Sequence, residues 1–397
     1  MARIGIYGGT FNPPHIGHIH AARQAFALLK LDKLLLIPDR IAPHKVLPQG
    51  SATAQQRMEM LKIGAAQIPY AQISDVELRR EGTSYTYLTV QELKAQYPED
   101  ELILIMGTDM FLSFHTWRYP EKIWEKATLA VLYRGDKDEK NAIYAQKEAL
   151  EALGARIEVV QNEVTVISST DLRRMLIFSC AASYLPDGVM QYIQENGLYG
   201  TGGNFKQLPM EQLEKVVVGL IDPKRVNHVL GCRDTAVKMA MHWGANETDA
   251  ARAGILHDIT KALRGQLQLT LCSEYGIILD DFSAKYPKTL HALTGALVAE
   301  RIFGENQAVV DAIRHHTTGK ADMSLLEKII YVADYMEPCR DFPGVEKLRE
   351  LAFTDIDAAL KLGLEMTLEL LKKQGSEVSP ASRDALNWLS GKDRCKC

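Results

Sequence analysis

At 397 residues the chain is too long for one ordinary domain, and two or three are expected. Its 46% hydrophobic and 24% charged residues are globular values, and a net charge of −4 excludes a global basic field for bulk nucleic-acid binding. No stretch approaches the ~20 apolar residues of a membrane span. IGIYGG is too short and too glycine-broken for a signal peptide, and the cysteines at 180, 232, 272, 339, 395 and 397 form neither a disulfide framework nor a zinc ribbon. The expectation is a reduced, cytoplasmic protein that engages neither nucleic acid nor membrane; homo-oligomerisation stays open.

The first half alternates strand and helix patterns. Residues 3–9, 33–39, 71–78, 102–109, 128–135 and 155–161 read as strands, and 19–30, 53–67, 86–98 and 144–154 as helices between them. Such alternation predicts an α/β doubly wound parallel sheet of Rossmann type. PDGVMQYIQENGLYG, residues 186–200, reads as a last helix with a glycine stop, and TGGN, 201–204, as the linker between a first domain over 1–200 and a second over 205–397. After the linker strand patterns vanish. Segments 223–244, 248–263, 291–304, 307–317, 324–337 and 355–373 carry helical periodicity, with Asp222-Pro223 and Thr248-Asp249 as helix starts, so the second domain is expected to be all-α.

Within the first half, GGTFNPPHIGH (8–18) follows the first strand directly. Gly8 and Gly9 would let the backbone turn and approach a ligand, and Pro13 and Pro14 stiffen the connection. His15 and His18, three apart, share one face of a first helical turn. Imidazoles over a helix N-terminus suit a polyphosphate, and the missing GxGxxG argues against a dehydrogenase. The string carries the (H/T)xGH signature and resembles the nucleotidyltransferase superfamily, whose members transfer a nucleotidyl group by in-line attack. IPDRIAPHK (37–45), GTSYT (82–86), MGTDMFLSFHTW (106–117) and ISSTDLRRML (167–176) follow in the order seen in bacterial nicotinate-nucleotide adenylyltransferase, a resemblance over residues 1–200.

That resemblance implies transfer of AMP from ATP to nicotinate mononucleotide with magnesium, giving deamido-NAD and pyrophosphate. It implies an ATP site of Gly8, Gly9, Thr10, Phe11, His15, His18, Ser169, Thr170 and Arg173. His18, His15, Lys45 and Arg173 would stabilise charge at the transferring phosphoryl group. Thr86, Asp109, Trp117 and Arg118 would hold the pyridine mononucleotide: Trp117 by stacking, Asp109 at the ribose, Thr86 and Arg118 at the carboxylate. Asn12 departs from the family's usual Asp. An altered acceptor, pantetheine phosphate or nicotinamide mononucleotide, is the alternative, against which GTSYT and HTW argue.

The second half sets His228, His257-Asp258, His291, His315-His316 and Asp334 among apolar residues, with His257 and Asp258 read as mid-helix in GILHDIT. Burying such groups unpaired costs about 2–7 kcal/mol each, which a shared metal centre would offset. The order H…HD…H…H…D resembles the HD-domain metallophosphohydrolases. HDITK, HALTGA, RHHTTG and YVADYMEPCRDFPGVEKLRELA resemble the YqeK family across 210–390. Those enzymes split diadenosine tetraphosphate symmetrically into two ADP. The resemblance implies His228, His257, Asp258, His291, His316 and Asp334 as ligands; His316 is preferred to His315 because the family motif has one histidine before Thr-x-Gly. Six nitrogen and oxygen donors suit two octahedral metals, iron, manganese or cobalt. Lys261, Arg264 and Arg314 are candidate polyphosphate contacts. The alternative is an HD domain that senses a nucleotide, or hydrolyses a different one.

Overall fold

A computed structural model describes residues 1–43, 47–48, 50–133, 137–163, 165 and 167–395. Lys45 lies outside the described residues. The chain divides into two compact units, Met1–Gly203 and Asn204–Cys397.

The first unit is built on six parallel strands, β1 Arg3–Gly9, β2 Lys33–Pro38, β3 Ala71–Ile73, β4 Glu101–Gly107, β5 Ala127–Tyr133 and β6 Ile157–Gln161, in the order β3-β2-β1-β4-β5-β6. Runs such as LLLI and LILIM do not alternate because helices cover both faces of the sheet. All seven residues of β5 are buried. One core face gathers Ile4, Ile6, Leu104 and Val131, the other Leu34, Leu36, Ile103 and Ala130. Strand order reverses between β1 and β4, so the loops leaving those two strands open a crevice where such sheets bind ligands.

Some boundaries differ from the sequence reading. The segment expected as a strand over 71–78 keeps only Ala71–Ile73; the chain then turns, with Leu78 N–H donating to the Asp75 carbonyl at 2.9 Å. An edge strand with one neighbour lacks the second ladder that would extend it. The helix expected over 144–154 runs Lys137–Glu151, with Asp138 and Glu139 in its first turn. The helix expected over 186–200 is Val189–Glu195, ended before the left-handed Gly197.

The described part of the second unit is helical throughout. Val226–Trp243 ends at Gly244, whose φ of 72° suits a glycine C-cap. Glu247–Leu256 is capped by Asn246, which accepts from Asp249 N–H at 3.0 Å, so the cap lies two residues before the expected Thr248. Leu290–Arg301, Gln307–His315, Leu325–Met336 and Ile356–Lys373 follow. Helices Met210–Leu220, Gly265–Glu274, Val345–Leu351 and Pro380–Cys395 join them without having been read from periodicity.

Candidate functional site

In the first unit Gly8 and Gly9 are the last residues of β1, in register with Ile37 and Pro38, and neither has positive φ. The expected glycine turn is therefore made by Phe11, at φ 48° and buried. Burial of its ring against the His18 ring (centroids 5.0 Å apart) holds it in that left-handed conformation. His15 caps the helix Ile16–Leu28, and its ring lies 3.6 Å from that of His18. His15 N–H donates to His18 Nδ1 at 3.2 Å, which leaves the ring proton of a neutral His18 on Nε2. Burial lowers His15 to about 4, so it is neutral at pH 7. Gly17 makes the pairing possible: a Cβ there would sit 3.0 Å from His15 Nδ1.

The rings open on a cavity of about 300 Å³, lined also by Gly107, Thr108, Asp109 and Asn162. Asp109 lies exposed in the first turn of Thr108–Leu112, directly after β4. Ser168 caps the helix Ser169–Ile177, accepting from Asp171 N–H at 3.1 Å. Ser169 Oγ donates to the Pro13 carbonyl at 3.2 Å, and Arg173 donates to the Asn12 carbonyl at 2.7 Å and to Thr170 Oγ1 at 3.1 Å. Burial lowers the Arg173 pKa from its ordinary value. Thr86 opens the helix Thr86–Gln96, and the Arg118 guanidinium lies 4.7 Å from the ring of its neighbour Tyr85. Trp117 is half-buried against Phe114. Thr86, Trp117 and Arg118 do not line the 300 Å³ cavity.

Four bracing residues, Arg57, Asp39, Tyr199 and Ser51, were not read from sequence. Fully buried Arg57 donates to the Thr10 and Asp39 carbonyls and pairs with the Asp39 carboxylate at 3.1 Å, while Thr10 Oγ1 donates to the same carboxylate at 2.7 Å. Tyr199 donates to Asn12 Oδ1 at 2.8 Å, and Asn12 Nδ2 donates to Ser51 Oγ at 3.0 Å. Asn12 thus uses both ends of a neutral amide. Arg57 left one signal: a charge on the same helix face as Met60 and Leu61.

In the second unit five helix ends deliver His228, His257-Asp258, His291, His316 and Asp334. His257 and Asp258 are not mid-helix: Glu247–Leu256 stops at Leu256, and His257 turns its Nδ1 back to the Gly254 carbonyl at 2.7 Å. Asp258 stands in the middle. Its Oδ2 is 3.5 Å from His228 Nε2 and 3.4 Å from His257 Nε2; its Oδ1 is 3.5 Å from His291 Nε2 and 3.7 Å from His316 Nε2. Asp334 Oδ1 is 3.1 Å from His228 Nε2 and 3.7 Å from His257 Nε2. His315 points elsewhere, to Glu327 at 2.7 Å.

All four Nδ1 atoms have outer acceptors: Glu337 for His228 at 3.0 Å, and the carbonyls of Gly254, Lys288 and Ile313 for His257, His291 and His316 at 2.7–2.8 Å. Each ring, when neutral, then turns its Nε2 lone pair inward, where Thr317 Oγ1 lies 3.1 Å from those of His291 and His316. Burial lowers His291 to about 3, helped by the Lys261 charge. Burial opposes ionisation of Asp258, yet the surrounding imidazoles hold it well below the usual range; in the metal-free cluster His257 carries the proton that a cation would displace. Asp258 Oδ1 is buried, with the Lys261 ammonium 3.2 Å away. Imidazole lone pairs around carboxylate oxygens are a donor set that a divalent cation fits; His228, His257 and Asp334 form one such group and His257, Asp258 and His316 a second.

A cavity of about 540 Å³ opens on this cluster at His316, Thr317 and Asp334. Lys261, Arg340 and Lys373 bring positive charge to it, and Tyr331, Tyr335 and Phe342 an aromatic wall. Of the three expected polyphosphate contacts only Lys261 lines it. Arg264 is an exposed cap of Gly265–Glu274, and Arg314 lies on Gln307–His315, neither of them on the cavity lining. Arg225, which donates to Asp258 Oδ2, and Arg340, which donates to Asp334 Oδ1 at 2.7 Å, were not read from sequence.

Comparison with known proteins agrees with this division. The Cytidylyltransferase-like family matches residues 6–175 and the HD domain residues 225–339. The chain is 36% identical over 209 residues to a probable nicotinate-nucleotide adenylyltransferase of Pseudomonas syringae pv. tomato, covering 50% of this chain and 93% of that one. It is 36% identical over 198 residues to its counterpart in Dictyoglomus thermophilum, covering 50% and 99%. A solved predicted HD superfamily hydrolase involved in NAD metabolism, from Clostridium acetobutylicum, is 34% identical with a TM-score of 0.46, covering 47% of this chain and 98% of that one. The chain belongs, through its first unit, to the nicotinate-nucleotide adenylyltransferase family, and carries a C-terminal HD domain fused to it.

Proposed function

We propose that the protein is a bifunctional enzyme: the first unit adenylylates nicotinate mononucleotide, and the HD domain hydrolyses diadenosine tetraphosphate to two ADP. The first activity is carried by the His15–His18 pair, stacked at a helix N-terminus where strand order reverses. A phosphate oxygen of the mononucleotide attacks the α-phosphorus of ATP, the bond to the β-phosphate oxygen breaks, and pyrophosphate leaves. His18 donates from Nε2 to the oxygens on which charge grows, and the N-terminus of Ile16–Leu28 adds its dipole. Arg173, fixed by the Asn12 carbonyl, and Lys45 supply cations, with magnesium accompanying ATP. Ser169 and Thr170 offer hydroxyls to the distal phosphates. Asp109 takes the ribose, and Trp117, Thr86 and Arg118 take the pyridine ring and its carboxylate. Positioning and charge stabilisation suffice, with no covalent intermediate.

The second activity is supported by the convergence of four Nε2 atoms on Asp258 and Asp334 beside a cationic, aromatic cavity. His228, His257, Asp258, His291, His316 and Asp334 would hold two divalent ions, which supply Lewis acidity toward a phosphoryl group and water. Lys261 and Arg340 neutralise charge on the central phosphates, and the aromatic wall receives a base. Water adds to one central phosphorus, the bond to the bridging oxygen breaks, and each half leaves as ADP.

A panel of substrates tests the reading. With ATP, nicotinate mononucleotide should release pyrophosphate at least tenfold faster than nicotinamide mononucleotide or pantetheine phosphate. Equal rates would sink the acceptor assignment. With diadenosine tetraphosphate, ATP plus AMP in place of ADP would sink the symmetric assignment.

A further inference from the structure

Resting on the metal-centre reading, we propose that Glu337 makes the two halves of that centre unequal, fixing His228 as the tighter metal ligand. Three backbone carbonyls serve His257, His291 and His316, whereas His228 alone has a carboxylate on its Nδ1, Glu337 Oε1 at 3.0 Å. A carboxylate is a stronger acceptor than an amide carbonyl. It fixes the tautomer, aims the ring and makes Nε2 a better donor.

The chain goes to some length to put that charge there. Leu325–Met336 ends one residue before Glu337, whose extended backbone and following Pro338 turn the side chain back under the helix that bears His228. Glu337 is 1% exposed. Its Oε2 accepts from Cys339 N–H at 2.6 Å, which locks the carboxylate plane. The helix Val226–Trp243 leaves room for it at Gly231, one turn after His228: a Cβ on Gly231 would lie 2.8 Å from Glu337 Oε2. Glycine weakens a helix interior relative to alanine, so the gap has a reason, and the carboxylate is the atom group that fills it.

The charge count reinforces the asymmetry. His228 and His257 face Asp258 Oδ2 and Asp334 Oδ1, paired with Arg225 and Arg340 and backed by Glu337; His291 and His316 face Asp258 Oδ1 alone, paired with Lys261. The half with the extra anion and the carboxylate-backed imidazole holds a divalent cation more tightly, and the other half exchanges it more readily.

Titration of the metal-stripped full chain with Mn²⁺, followed by calorimetry, reads this directly. The wild type should bind two ions in two steps of different affinity. Glu337→Gln should weaken the tighter step about 10–100-fold and leave the weaker step in place. Gly231→Ala, which crowds Glu337 without touching a ligand, should move the same step in the same direction; His315→Ala, outside the cluster, should move neither. A purely structural Glu337 would alter the melting temperature but not the ratio of the two steps. Two steps that stay at wild-type affinity in both Glu337→Gln and Gly231→Ala, or that weaken equally, would overturn the inference while leaving the metal centre standing. A wild-type chain that binds no Mn²⁺ would overturn the metal-centre reading and the inference together.

Discussion

His18 accepts a backbone hydrogen bond at Nδ1, which leaves Nε2 as the ring's donor, the atom to which the proposed adenylyl transfer assigns charge stabilisation. Its replacement by alanine should cost about 10²–10³ in adenylyl transfer, read as pyrophosphate release on a variant with unchanged circular dichroism. A variant above a tenth of wild-type turnover would remove His18 from the proposed role. His15 makes a stability prediction. Its ring titrates near 6.5 when unfolded and at about 4 when folded, because burial disfavours the charged form. Between those values the unfolded chain binds the extra proton. His15 therefore stabilises the fold fully above about pH 7, and that contribution, on the order of 1–3 kcal/mol, is lost as pH falls from 6.5 to about 4. Urea midpoints across that window should flatten in His15→Asn; an equally steep fall in both proteins would assign the loss to other groups. His15 and His18 were legible as a cluster from their spacing, and the HD histidines from their apolar surroundings and the family motifs they resemble. Arg57, Asp39 and Glu337 were not. Glu337 meets His228 across a separation of 109 residues, and no local pattern encodes such a contact.

Helices deliver their functional groups from their ends, so end chemistry matters more than interior propensity. Ser324 and Glu327 form a reciprocal cap on Leu325–Met336, the helix that carries Asp334, and Glu327 also binds His315 and Lys320. Ser324→Ala should lower stability by ~0.5–2 kcal/mol, measured by urea denaturation. A change within error would mean that Glu327 alone carries the cap. Parallel strands were legible because burial on both faces writes an unbroken apolar run, as in β4 and β5. The five-residue helices Thr108–Leu112 and Pro120–Trp124 were not: a period of 3.6 cannot declare itself in so few residues. The HD motif shows the converse error. Apolar periodicity continued through GILHDIT, yet the helix stops at Leu256 because the His257 ring takes the Gly254 carbonyl and Asp258 must face four imidazoles.

On the scale of the whole chain, a change of texture near residue 204 marks the passage from a strand-bearing unit to a helical one. Each unit supplies a charge-organised cavity, and both proposed reactions break a phosphoanhydride of an adenylate. None of the first unit's site residues belongs to the second, so the two chemistries are expected to be lost separately. The measurement that tests this most directly is chromatographic product analysis of the purified full chain and of His257→Ala. Each is given ATP with nicotinate mononucleotide and, separately, diadenosine tetraphosphate, with bound metal assayed on the same samples. The wild type should give deamido-NAD and ADP. His257→Ala should give deamido-NAD at an undiminished rate, with depleted metal and no ADP. Full metal occupancy with unchanged ADP release in His257→Ala would contradict the metal-centre reading.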